Sequence, residues 1–335
     1  MPRRPGLLVP LLLSAMVGAA TLTGASVSAA TPPVAPAPVR VLVNGDSISQ
    51  GADGDWTWRY RLDREADRQG VDLDLVGSKT ATFAGLGRYA DPEFDRDHFA
   101  TWGTTLAVQT ALIEDEVRAQ TPDVVILAAG IVDLSTRTPA EVEVTLREWI
   151  ANVRAAAPTV RILISPTLAR SEFVTPQVVA QFAARERAVA AELSTPGSPI
   201  TVADTDRGWS FRAFTWDGTH PLCVGENWIG QKIGEELVDV GVLERRPAIF
   251  GRRCVTPAPT VQVGSIAFTD TQVSWTRAPR TETFRVRYRV GTSTRWLTRT
   301  LRDPLLRVRG VQQVEVTPVN RQGQGPVRVA TRPAA

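Results

Sequence analysis

Val41-Leu42-Val43-Asn44-Gly45-Asp46-Ser47-Ile48-Ser49-Gln50 is the stretch whose reading decides the fold. With Val39 ahead of it, the first part is a short apolar, β-branched run, which predicts a buried strand. The run breaks at Asn44-Gly45, where glycine permits a backbone turn that other residues resist. Asp46 and Ser47 then stand at the carboxyl end of the strand, ahead of a polar stretch that leads into a helix. In open α/β sheets this is where ligands bind. A serine held there presents its hydroxyl to a crevice and keeps its backbone N–H as a donor. Asp46 and Ser47 can equally be helix caps, so this stretch alone does not decide the chemistry.

Outward from it, strand and helix patterns alternate through the first 250 or so residues. Asp55 to Gln69 has roughly helical spacing of Trp56, Tyr60, Leu62 and Ala66, and Val71 to Val76 alternates like a strand. Leu106 to Ala119 is a helix, and Asp123-Val-Val-Ile-Leu-Ala128 is a continuous apolar run of the kind covered on both faces of a parallel sheet. Glu141 to Ala157, Pro176 to Leu193 and Gly225 to Val240 read as helices, separated by strands at Val160–Ile164 and Ile200–Ala203. Repeated strand–helix units predict a parallel sheet flanked by helices. Arg245 to Pro259 then holds three prolines and a cysteine and reads as a linker. Beyond it the pattern becomes all-β: Thr271–Trp275, Phe284–Val290, Val314–Thr317 and Val327–Val329 alternate strictly. Phe284, Val286, Tyr288 and Val290 would point inward, and Arg285, Arg287 and Arg289 outward. Short alternating strands over about 80 residues predict a β-sandwich.

The 335 residues, 43% of them apolar, leave room for one large domain and a smaller one, each with a core. The net charge of +3 is unevenly spread. From Ala258 to Ala335 there are thirteen arginines against Asp270, Glu282, Asp303 and Glu315, a net +9 that leaves the preceding chain at −6. Such a basic tail can meet an anionic partner, or its arginines can simply form a solvated face. The N-terminus reads as an export signal, with Arg3-Arg4, an apolar run from Leu7 to Ala20 and small residues from Ala25 to Ala30. The expected signal peptide is residues 1–30, followed by a Pro/Ala-rich lead-in over 31–38. The apolar run is short for a span of about 20 residues, so no membrane span is expected in the mature chain and the protein is expected to be secreted. An even pair of cysteines, Cys223 and Cys254, favours a disulfide in an oxidising compartment over free thiols. His98 and His220 are the only histidines and lie far apart, so no metal-ligand cluster and no cofactor are expected. No nucleic-acid partner is expected either.

A serine nucleophile needs a base within hydrogen-bond reach and a third group to orient that base. In Asp217-Gly218-Thr219-His220, three residues of separation around a glycine let the carboxylate fold back onto the imidazole, with Trp216 and Pro221 stiffening the loop. His220 follows the last strand of the α/β part, at the edge where the loops converge on Ser47.

These residues resemble the SGNH (or GDSL) hydrolases, whose fold is a three-layer α/β/α, flavodoxin-like sandwich. Gly45-Asp46-Ser47 matches the nucleophile block. Asp97-His-Phe-Ala-Thr-Trp-Gly103 is similar to the second block, which implies that Gly103 donates its N–H, beside that of Ser47, to the oxyanion. Asp217-Gly-Thr-His220-Pro221 matches the Asp-x-x-His block, with Gly225-Glu226 at familiar spacing. The third block departs: Gly130-Ile131-Val132-Asp133 has valine where the family has an oxyanion-hole asparagine, and losing one such donor costs on the order of 10²–10³ in turnover. The resemblance thus implies a triad of Ser47, His220 and Asp217, an oxyanion hole of Ser47 and Gly103, and loop-holding roles for Asp46 and Asp133. Trp56, Trp58, Trp102 and Trp216 are candidates for a substrate cleft or for core packing. The tail resembles a fibronectin type III module through Val273-Ser-Trp275 and Val316-Thr-Pro-Val-Asn320 followed by Gly323 and Gly325; Gln312 stands where a tyrosine is expected. The expected boundaries are 39–247 for the hydrolase-like domain, 248–258 for a linker and 259–335 for the β module. The implied function is a secreted carboxylic-ester hydrolase for small acyl esters, including acyl groups on glycans. The alternative is a catalytically weakened relative that binds a carbohydrate or cell-surface ligand. A lipase for long acyl chains lacks an apolar lid segment. The β module is a spacer, or its arginine stripe meets an anionic cell-wall polymer or the acidic first domain.

Overall fold

Strand β1 (Val39–Gly45) runs through the centre of a parallel sheet because every residue from Val41 onward is buried, as a strand covered on both faces must be. The computed structural model describes residues 37–83, 89–91, 93–168, 174–252, 258–259, 261–320 and 323–333. The expected signal peptide and most of the lead-in lie outside the described residues.

After β1 come α1 (Ser47–Gln50), α2 (Thr57–Gln69), β2 (Leu73–Val76), β3 (Phe99–Ala100), α3 (Leu106–Gln120), β4 (Val124–Ala128), α4 (Pro139–Ala156), β5 (Arg161–Ile164), α5 (Pro176–Leu193), β6 (Ile200–Val202), α6 (Phe211–Phe214) and α7 (Cys223–Asp239). The sheet order is β2-β1-β4-β5-β6, with the short β3 also beside β1. All of these pairings are parallel. The chain leaves β1 to one side and returns to the other, so the carboxyl ends of β1 and β4 form the switch point of the sheet.

Side-chain alternation divides the core into two layers. Leu42, Val125, Leu127, Ile162 and Ile164 pack with Leu146, Trp149 and Phe182 of α4 and α5. Val41, Val43, Val124, Ile126 and Leu163 face the other way, onto Trp58 and Leu62 of α2 and Ile229 and Ile233 of α7. Each such side chain, fully buried, contributes roughly 1.5–3 kcal/mol. The result is the expected three-layer α/β/α arrangement.

From Ile266 the chain is all β and antiparallel: β7 (Ile266–Phe268), β8 (Gln272–Trp275), β9 (Thr283–Val290), β10 (Leu297–Leu301), β11 (Leu305–Arg307), β12 (Val311–Asn320), β13 (Gly323–Gln324) and β14 (Arg328–Thr331). One sheet has the order β10-β9-β12-β13 with β14 also on β12; the other is β11-β8-β7. Phe284, Val286 and Tyr288 are buried against Val273, Trp275 and Leu306, as their alternation predicts. The arginine stripe is spent largely inside its own sheet. Arg287 pairs with Glu315 at 2.7 Å, and Arg287 and Arg289 lie over the Trp296 ring.

Both regions belong to one unit beginning at Ala37. Arg280, in the loop between β8 and β9, is 1% exposed. Its Nε lies 3.7 Å from Asp55 Oδ1 in the α/β region. Gly54 makes the room: a Cβ there would meet Arg280 Nη1 at 2.3 Å. Burial dominates the electrostatics of this pocket. It pushes Asp55 up to about 6 against the pull of Arg280, and Glu226 of α7 up to about 8.

Candidate active site

The turn after β1 is held by buried polar contacts from several elements. Asn44 donates to the Phe99 carbonyl at 3.0 Å and to Gln109 Oε1 at 2.8 Å, and accepts from Trp149 Nε1 at 2.8 Å. Gln109 in turn donates to the Gly45 carbonyl at 2.9 Å. Gly45 is required by space, since a Cβ would lie 2.8 Å from the Ala128 carbonyl of β4. Asp46 caps α1 by accepting from the Ile48 N–H at 3.0 Å, which leaves Ser47 as the first helical residue. Burial raises the Asp46 carboxyl to about 6, the nearby His220 and a backbone donor offsetting only part of that. At the far end of α1, the buried Arg59 donates to the Ser49 carbonyl at 2.9 Å and to Tyr89 Oη at 2.8 Å; Tyr89 donates to the Gln50 carbonyl.

The opposite wall is the loop between α6 and α7, pinched shut by a bridge between Thr215 and Pro221. The Trp216 N–H donates to the His220 carbonyl at 3.0 Å. Within it, Gly218 takes a φ of +92°, a left-handed conformation natural to glycine. Asp217 then folds back: Oδ1 accepts from the N–H groups of Thr219 at 2.9 Å and His220 at 2.7 Å, while Oδ2 lies 2.7 Å from His220 Nδ1. Burial works against the Asp217 charge, yet the hydrogen bond and charge of His220 and the two N–H groups hold it below the usual carboxylate range. His220 Nε2 lies 2.9 Å from Ser47 Oγ. The three side chains named from sequence as nucleophile, base and orienting acid therefore form one hydrogen-bonded line.

The remaining candidates fall into place around this line. Thr101 N–H donates to the Gly45 carbonyl at 3.1 Å, and Trp102 N–H to Gln50 Oε1 at 2.7 Å, tying the loop that carries Gly103 to α1. Gly103 has φ +73° with nothing within 4 Å of a built Cβ, so its glycine answers the backbone angle and not crowding. Val132 is half-buried against the core and brings no side-chain donor. Asp133 Oδ2 accepts from the Leu106 N–H at 2.6 Å, anchoring the start of α3. Of the four tryptophans, Trp102 and Trp216 flank His220. The Trp102 ring stacks on the imidazole at 4.0 Å and 15°, and Trp216 lies at 5.3 Å and 21°. Phe83, unmarked in the sequence reading, continues the stack on Trp102 at 4.1 Å. Trp58 is core, and Trp56 packs on Tyr60.

His98 is a separate matter. It is fully buried, and burial lowers it to about 2, so it stays neutral while its Nδ1 accepts from the Ala100 N–H at 3.0 Å. Among the described residues no group of His, Cys, Asp and Glu could hold a metal. No described helix is long and apolar enough to cross a membrane. Cys223 is buried at the start of α7, 3.0 Å from an Arg61 guanidinium nitrogen; Cys254 lies outside the described residues.

Among solved structures, the chain is similar to an acetyl esterase mutant crystallised with an acetate ion, at 23% identity and TM-score 0.54, over 60% of this chain and 97% of that one. A carbohydrate esterase family 3 protein from Talaromyces cellulolyticus matches with the same identity, score and coverage. A Clostridium thermocellum family 3 carbohydrate esterase matches at 21% and 0.50, over 61% and 97%. At these identities the likeness shows the fold. No match was found among curated proteins. In sequence, residues 43–222, more than half of the chain, match the GDSL-like lipase/acylhydrolase family. That segment opens just before Ser47 and closes just after His220, so the side chains joined at the switch point are those at its two ends, and the chain belongs to the GDSL-like lipase/acylhydrolase family.

Proposed function

We propose that this protein is a secreted serine esterase that removes small acyl groups from carbohydrate esters, with Ser47 as nucleophile, His220 as base and Asp217 as its orienting acid. The observation that carries the reading is the pair of contacts on one imidazole: 2.9 Å to Ser47 Oγ and 2.7 Å to Asp217 Oδ2. Asp217, ionised and held on Nδ1, leaves Nε2 free to accept the serine proton. Ser47 Oγ attacks the ester carbonyl, and the oxyanion is met by the N–H groups of Ser47 and Gly103. The protonated His220 then gives its proton to the departing alkoxide. Water, deprotonated by His220, attacks the acyl-serine and releases the acid and the free hydroxyl.

Val132 leaves the hole one donor short, which costs on the order of 10²–10³ in turnover. The carbohydrate side of the reading draws on the names of the similar structures, two of which are carbohydrate esterases. Small acyl groups are favoured over long chains because the sequence carries no apolar lid segment. Export rests on the N-terminal signal pattern, and with it the pairing of Cys223 with Cys254. The strand orders of the two C-terminal sheets support a fibronectin type III-like module.

The test is hydrolysis of p-nitrophenyl acetate by the purified protein beside Ser47→Ala. A fall of at least about a thousandfold is expected. Equal, background-level rates would overturn the reading and leave a binding protein on a hydrolase scaffold.

A further inference from the structure

A groove of about 660 Å³ separates the loop bearing Asp217 from the β region, within the size range of small-molecule sites. On one side are Arg212 of α6 and Trp216, Asp217 and Gly218 of the histidine loop. On the other are Arg277 of the β8–β9 loop and Arg302 and Asp303 of the β10–β11 turn. Asp217 is the one triad candidate that lines the groove, whose far wall is supplied by the other half of the chain.

We propose that this groove receives the leaving-group side of the substrate, a carbohydrate chain carrying carboxylates, and that Arg212 and Arg302 are its anion contacts. The assignment rests on the esterase reading above. Charge is the first argument. Three arginines line the groove against two carboxylates, and one of these, Asp217, is already committed to His220. Arg277 is also committed: it donates to the Thr281 carbonyl at 2.8 Å and to the Arg302 carbonyl, shaping the wall. Arg212 and Arg302 are exposed and, among the described residues, neither pairs with a carboxylate. Asp303 stands beside them without forming an ion pair there.

Rigidity is the second argument. Arg277 is on the same loop as Arg280, which is buried in the α/β region beside Asp55, and it ties the β10–β11 turn to that loop through the Arg302 carbonyl.

The experiment compares chemically acetylated oligogalacturonate with acetylated cello-oligosaccharide of the same length, in the full chain and in Arg212→Glu/Arg302→Glu. The wild type should prefer the anionic ester. In the variant the anionic-to-neutral ratio of kcat/KM should fall on the order of tenfold, through KM, and added salt should erode the wild-type preference. An unchanged ratio, or an equal fall on both substrates, would overturn the proposal; a melting curve confirms that the variant is folded. If p-nitrophenyl acetate is not hydrolysed at all, the esterase reading fails by itself. The groove is then read from calorimetric binding of unacetylated oligogalacturonate, with no wild-type binding counting against it.

Discussion

The turn that carries Ser47 and the loop that carries His220 reach the same point by opposite means. Ser47 is positioned from far away: Asn44 joins Gln109 and Trp149 across three elements, and Arg59 holds the carbonyl end of α1. His220 is positioned from within, because Asp217 satisfies two N–H groups of its own loop and the imidazole with a single carboxylate. One end is built into the core, and the other is a self-contained turn pressed between aromatic rings. A defect at the first should therefore spread into stability, while a defect at the second should stay in the chemistry.

The largest expected effect lies in the histidine loop. In Asp217→Asn the amide oxygen can still accept the two backbone N–H groups, but the amide NH₂ faces Nδ1 and selects the wrong imidazole tautomer. Turnover of p-nitrophenyl acetate should fall by about 10³–10⁴, with a melting temperature close to wild type. A large loss of stability would mean that this loop is not self-contained.

Next comes Asn44→Ala, which leaves Trp149 Nε1 and Gln109 Oε1 without the partner they have in the core and removes one donor from the Phe99 carbonyl. Unpaired buried groups cost about 1–3 kcal/mol each, so denaturant unfolding should show a loss of about 3–5 kcal/mol. A loss below 1 kcal/mol would contradict the account of the turn as built from the core.

The smallest effect concerns pH. Asp46 is raised to about 6 in the folded chain by burial, so between pH 4 and 6 the native state holds a proton that the unfolded state has released. Native stability therefore declines as pH rises through this window. Asp46→Asn does not titrate and keeps a side-chain acceptor at the cap. It should gain on the wild type by about 2–3 kcal/mol from pH 4 to pH 7, read as the difference of two stability–pH curves. Parallel curves would show that the turn tolerates the charge.

The same contrast explains what was legible in the sequence. Asp217 and His220 are three residues apart and meet within one turn, so spacing alone was enough to suggest them. The strands and helices were also readable, since burial leaves a period; α5 runs from Pro176 to Leu193 as expected because Thr175 caps it and Pro176 starts it. Arg59, Gln50, Phe83 and Arg280 were not readable. Each acts through contacts with segments remote in sequence, which leave neither a period nor a motif. The arginine stripe misled in the other direction: alternation correctly turned it outward, but it could not show that Glu315 on β12 and Trp296 just ahead of β10 were waiting beside it.

The seating of Arg280 in the notch at Gly54 bears on ancestry. All-β appendages are commonly shuffled between proteins as interchangeable parts, joined by slack tethers. Here a guanidinium from the appendage fills a notch cut into its host, so neither half can be traded without finding the other's counterpart. The two are expected to have been passed down as a single heritable piece.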